Sequence, residues 1–149
     1  MTKSKADSEK AENAWTPGTV FQGWASIAFW MIFGLLLEGF LGYKIPGYLE
    51  DAQRRELFRL AHTHGTFLGL VLIAAALTFK VGASAPPRLA VRALRAGAIL
   101  MPLGFFLAGV WHPEGDPGIA IWLVPPAALL VIFGAISIAL SARKKSSGA

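Results

Sequence analysis

Four long apolar segments restrict what this chain can fold into. They cover residues 21–41, 57–79, 93–111 and 119–140. Each is close to the ~20 residues with which an α-helix crosses a bilayer. A globular core would not need four such segments in succession, so the sequence predicts an all-α integral membrane protein, a four-helix bundle. The helices are expected at about 19–42, 51–79, 91–112 and 119–141.

The composition agrees with this interpretation. Hydrophobic residues make up 54% of the chain and charged residues 15%, and the mean hydropathy is +0.53. The first apolar segment begins too far into the chain, and is too long, for a cleavable signal peptide. The chain has no cysteine, which excludes disulfides, thiolate metal sites and covalently attached c-type haem. Prolines at positions 102, 125 and 126 predict kinks in the third and fourth helices.

The charged residues predict the orientation in the membrane. Residues 1–18 and 142–149 are polar, and we expect them to form mobile tails. The N-terminal tail is mixed in charge and carries three lysines, the connection 80–95 carries four basic residues and the C-terminal tail three, whereas the other two connections carry four basic residues mixed with acidic ones. Basic residues favour the cytoplasmic side, so both termini are predicted in the cytoplasm, as in a multi-pass protein of a bacterial inner membrane. The net charge of +5 is therefore assigned to membrane ends and not to nucleic-acid binding.

This topology brings all three histidines of the chain to one level near the outer surface. His62 and His64 lie early in the second helix, roughly 7–11 Å from its start. His112 ends the third helix, and Glu38 lies about one turn before the end of the first. An ionisable side chain inside a membrane span indicates a functional site, because burying it in lipid is costly.

A helical wheel separates the two neighbouring histidines. Residues two positions apart differ by about 200° around a helix, so His62 and His64 cannot both face one small ligand. His62 shares a face of small and polar residues with Arg59, Gly65 and Gly69. The face of His64 is bulky and apolar and indicates packing or contact with lipid. On this argument His62 is the better ligand.

The third helix suggests a partner for His62. Gly104, Ala108 and His112 recur at intervals of four residues, which places a narrow groove below His112. Two facing grooves could enclose a haem b, held by His62 and His112 from two helices. Its propionates would pair with arginines at the outer surface. These are Arg54, Arg55 and Arg59.

Other interpretations of the same residues stay open. Small residues four apart also let membrane helices pack with no cofactor, and the arginines can pair with neighbouring glutamates along the helix. Glu38 can serve as a buried proton-handling carboxylate or reach water from the helix end. A bare copper or zinc site is the alternative to haem. Its predicted ligands are His62, His64, His112 and Glu38.

The stretch Ala61-His62-Thr63-His64-Gly65, followed by an apolar run, resembles the second helix of the large subunit of haem–copper oxidases and nitric-oxide reductases. In that family a His-Gly pair near the outer end of the helix supplies a low-spin haem ligand. The resemblance implies that His64, followed by Gly65, is the ligand, whereas the helical wheel favours His62. The chain departs from the family in having four predicted spans and no second histidine-rich helix.

The predicted function is that of a small cytochrome b-like protein. It would transfer electrons to or from a quinone or a partner protein, or form part of a respiratory complex, and it need not be an enzyme on its own. The main alternative is a non-enzymatic accessory or assembly subunit of a larger membrane complex, or a homo-oligomer. A small transporter that uses Glu38 is a third hypothesis.

Overall fold

A computed structural model describes the backbone of residues 2–80 and 87–146 and the side chains of residues 17–80 and 87–143. The described chain contains helices and no strand. Long helices are α1 (Thr2–Gly42), α3 (Ala52–Lys80), α4 (Arg88–Val110) and α5 (Val124–Ser146). Shorter ones are α2 (Pro46–Leu49) and a 3-10 helix (Ile119–Leu123).

All four long helices are long and apolar enough to cross a membrane. The apolar spans are Pro17–Gly42, Ala52–Lys80, Arg88–Val110 and Ile119–Arg143. The all-helical class and the four candidate spans are thus confirmed. The N-terminal tail lysines, the middle of the connection between α3 and α4, and Lys144 with Lys145 lie outside the described side chains.

Two boundaries differ from expectation. α1 begins at Thr2 and includes the segment predicted as a tail, because that segment is rich in alanine, glutamate and lysine, which favour helix. Pro125 and Pro126 lie in the first turn of α5, where no intrahelical N–H is needed. They therefore begin a helix rather than kink one, and the 3-10 helix precedes them.

The long helices pack in chain order. α1 packs on α3, α3 on α4, and α4 on α5. Neighbours are antiparallel, since Gly23 of α1 meets Ile73 late in α3 and Gly34 meets His62 near its start. One core cluster joins α3, α4 and α5 around Leu72 and Leu94. A second joins α1, α2 and α3 at the end of the bundle where α2 lies, which we call the α2 end.

A polar clamp joins α1 to α4 at the opposite end. The Gln22 amide Nε2 donates to the Arg95 carbonyl at 2.9 Å, and Arg95 Nε donates to Gln22 Oε1 at 2.7 Å. We predict that Gln22→Leu lowers the free energy of unfolding by about 1 kcal/mol, because interhelical hydrogen bonds in membranes contribute that order of magnitude. Thermal melting in detergent measures the change.

The matched control for this prediction is Ser141→Ala. The Ser141 hydroxyl donates to Ser137 of its own helix, so its removal leaves every interhelical bond intact. A Gln22→Leu protein as stable as Ser141→Ala would contradict a stabilising role for the clamp.

Candidate functional site

An open cleft lies between α1 and α3 at the α2 end. We call it the α1/α3 cleft, and its volume is about 640 Å³. Apolar side chains of α1, together with Glu38, form one wall, and polar side chains of α2 and α3 form the other. The apolar lining comprises Met31, Gly34, Leu35, Leu37 and Leu41; the polar lining comprises Glu38, Tyr48, Arg55, Arg59, His62 and Thr63.

His62 is held at the back of this cleft by the backbone of α1. Its Nδ1 lies 2.7 Å from the carbonyl oxygen of Trp30. The ring rests against Gly34, where an added Cβ would lie 2.6 Å from Nδ1 and 3.0 Å from Nε2. A side chain at position 34 would therefore displace the imidazole from this position. The half-buried ring keeps its Nε2 without a hydrogen-bond partner among the described residues.

The charged and phenolic groups of the cleft lie nearer the α2 end. Glu38 is exposed and has no ion pair among the described side chains. The Arg59 side chain is 73% exposed and lies 3.9 Å from Glu56. Arg55 donates to the Leu49 carbonyl. Burial raises the pKa of the Tyr48 phenol, while the positive charges of Arg55 and Arg59 act in the opposite direction.

The glycines predicted beside His62 face α1. Gly65 lies against the Trp30 ring, and its carbonyl accepts from the Ser26 hydroxyl at 2.9 Å. An added Cβ on Gly69 would lie 2.8 Å from the carbonyl oxygen of Gly23. The small face of α3 is therefore used for close packing against α1.

His64 lies on the other face of α3, towards α4. Its ring centroid is 5.0 Å from that of Phe105, with the planes tilted by 32°. Its Nδ1 lies 2.8 Å from the carbonyl oxygen of Leu60 in its own helix. The side chain is half-buried and does not line the α1/α3 cleft.

His112 lies beyond the end of α4, at a different place from His62. Its Nε2 lies 3.0 Å from Oδ2 of Asp51, and its Nδ1 lies 2.9 Å from the carbonyl oxygen of Pro113. Only 6% of the His112 side chain is exposed. It lines a second cleft, together with Asp51 and Glu114. His62 and His112 therefore do not face one another.

The small-residue face of α4 that includes Gly104 does not face α3 either. An added Cβ on Gly104 would lie 3.0 Å from Val124 and 3.2 Å from Leu123, so this small face packs against the 3-10 helix and α5. Among the described residues, no three or more histidine, cysteine, aspartate or glutamate side chains come together as a metal site. The four predicted copper or zinc ligands thus do not converge.

Asp51 links the second cleft to the start of α3. Its Oδ1 accepts from the backbone N–H of Arg54 at 2.8 Å, which is the bond of an N-cap residue. Burial alone would raise the pKa of Asp51, but the Arg54 N–H and the His112 and Arg54 side chains hold it below its ordinary value of 3.8. Arg54 also donates to the Gly109 carbonyl of α4 at 3.2 Å.

Sequence reasoning did not select Tyr48, Gly34, the Trp30 carbonyl or Asp51. Asp51 directly precedes α3, and an aspartate in that position is a recognised helix-start signal. Gly34 and the Trp30 carbonyl matter only because α1 packs against the His62 face, and no local pattern indicates this.

Known proteins provide no guide to the cleft. No protein-family model, curated protein or solved structure matches this chain. A function must therefore be inferred from the geometry of the α1/α3 cleft and the chemistry of the side chains that line it.

Proposed function

We propose that the protein binds the head group of a lipid-soluble quinone in the α1/α3 cleft. The proposal rests on the combination of polar and apolar residues that line the cleft. Arg55, Arg59 and His62 of α3, Tyr48 of α2 and Glu38 of α1 line the same cleft as apolar side chains of α1, and α1 and α3 are each long and apolar enough to span a membrane. Small-molecule sites combine apolar walls with a few polar groups that orient the ligand.

The two walls match the two parts of a quinone. Its ring carries oxygens on opposite sides that need hydrogen-bond partners: Arg59 of α3 can donate to a carbonyl oxygen, and His62 of α3 can pair with a hydroxyl of the reduced form. Its isoprenoid tail needs an apolar path to the bilayer. Met31 and Leu35 are exposed along that side of α1 and supply one. With both termini in the cytoplasm, as the basic residues predict, the cleft opens in the outer leaflet.

A haem is the second candidate, and one contact favours it. A histidine that ligates a metal usually donates its other ring N–H to a carbonyl or carboxylate, and the Nδ1 of His62 faces the Trp30 carbonyl. Arg55 and Arg59 could pair with propionates. A haem supplies one-electron chemistry when bound. Ligation by both His62 and His112 would require His112 to leave Asp51.

Photolabelling tests quinone binding. The protein in lipid nanodiscs is irradiated with an azido-quinone analogue, with and without excess short-chain quinone, and labelled peptides are identified by mass spectrometry. We expect saturable labelling of α1 and α3 that the competitor removes. Leu35→Trp should weaken it roughly tenfold, the equivalent of about 1.4 kcal/mol, because the new ring fills the cleft.

Leu36→Trp is the matched control. Leu36 is also exposed on α1 but does not line the cleft, so labelling should stay at the wild-type level. Labelling that is unsaturable, or equal in both variants, would refute quinone binding. An absorption spectrum of the same preparation separates the haem candidate, since a bound haem shows a Soret band that His62→Ala removes and His64→Ala retains. Stoichiometric co-purifying proteins would favour the accessory-subunit alternative.

A further inference from the structure

The contact between His62 and α1 determines which ring nitrogen carries the proton. A backbone carbonyl oxygen can only accept a hydrogen bond. The Nδ1 of His62, 2.7 Å from the Trp30 carbonyl oxygen, must therefore be the donor. In a neutral imidazole the second nitrogen is then an acceptor. The Nε2 of His62 thus offers a lone pair.

The position of this lone pair is fixed by packing. The Nδ1 edge of the ring lies over Gly34, whose missing side chain allows the approach. Trp30 is only 7% exposed, and its ring contacts Phe33 and Phe106 edge-on, with centroids 5.5 and 6.3 Å away. The carbonyl that orients His62 therefore belongs to a residue whose side chain is buried and packed against two phenylalanines.

A second acceptor, Glu38, comes from α1, the helix opposite His62. Glu38 is four residues after Gly34 on α1, so both lie on one face about one turn apart. The donors Arg55 and Arg59 lie on α3, the helix that also carries His62. The cleft thus presents one acceptor from each helix, His62 and Glu38, and cationic donors from α3.

We infer that the α1/α3 cleft selects the hydroquinone over the quinone, with a ligand hydroxyl donating to Nε2 of His62. This inference rests on the proposed quinone site. A hydroquinone O–H can donate the hydrogen bond that Nε2 of His62 does not receive from the described residues. A quinone carbonyl would instead direct its lone pairs at the lone pair of Nε2 and leave both groups unpaired. Loss of one such bond corresponds to a preference of roughly tenfold.

The test compares two competitors in the photolabelling assay under anaerobic conditions. The competitors are a short-chain hydroquinone and the corresponding quinone, with the hydroquinone dimethyl ether as a third ligand that has no donor. We expect the hydroquinone to displace the label at a concentration roughly tenfold lower than the other two. His62→Phe should abolish the preference, whereas His64→Phe on the opposite face should retain it.

Each outcome has a separate meaning. Equal displacement by hydroquinone and quinone refutes the selection but leaves the quinone site standing. Displacement by none of them refutes the proposed function itself. A preference that persists in His62→Phe refutes the role of Nε2. The comparison of ligands on the wild-type protein needs no variant, so it decides the question even where His62→Phe does not fold.

Discussion

Gly23→Leu is expected to destabilise the protein by about 3 kcal/mol, the upper range of the cost of overpacking a close contact. An added Cβ on Gly23 would lie 2.6 Å from Ile73 and 2.8 Å from the carbonyl oxygen of Gly69. The second of these atoms is backbone and cannot rotate away. α1 and α3 would have to separate. Thermal melting in detergent, followed by tryptophan fluorescence, measures the loss.

Gly39→Leu is the matched control for this prediction. Gly39 lies on the same helix, but nothing lies within 4 Å of its added Cβ. Leucine is also a better helix former than glycine, so this variant should be as stable as the wild type or slightly more stable. If both variants melt at the same temperature, α1 and α3 do not pack as closely as described here.

The four long apolar helices were predictable because their signal is local. Each apolar segment is long enough to span, and lipid requires every backbone group within it to be bonded internally. The helical wheel likewise distinguished His62 from His64, which lie on different faces of α3 and meet α1 and α4 respectively. Both inferences use only the geometry of a single helix.

The partners of each face were not predictable in the same way. The expected pairing of His62 with His112 assumed that the small faces of α3 and α4 meet. Instead Gly65 and Gly69 pack on α1, and Gly104 packs on α5 and the helix before it. Glycine in a span indicates a close neighbour without indicating which one. His112, beyond the end of α4, was free to turn towards Asp51.

Asp51→Ala is expected to lower the free energy of unfolding by about 2 kcal/mol near neutral pH. The change removes the N-cap bond to the Arg54 N–H, which contributes about 1 kcal/mol. It also removes the carboxylate that lies 3.4 Å from Nη2 of Arg54 and 3.0 Å from the Nε2 of the buried His112. Asp51 is partly exposed, so we assign its ion pair with Arg54 and its contact with His112 together only about 1 kcal/mol. Thermal melting measures the sum.

Asp51→Asn separates the two contributions. Asparagine is as good an N-cap as aspartate but carries no charge, so this variant should lose only the ion-pair part. A double-mutant cycle with His112→Gln isolates the coupling free energy between Asp51 and His112. Asp116→Ala is the control, since Asp116 is an exposed carboxylate of the connection that carries His112.

The pH dependence gives the Asp51 carboxylate a second test. The pKa of Asp51 is lower in the folded protein than its ordinary value of 3.8, so the folded state favours the carboxylate. Its contribution is fully present above 3.8 and is lost as the pH falls through the lowered value. The stability difference between wild type and Asp51→Asn should therefore shrink towards zero in acid. A difference that is unchanged in acid would show that the Asp51 charge does not stabilise the α2 end.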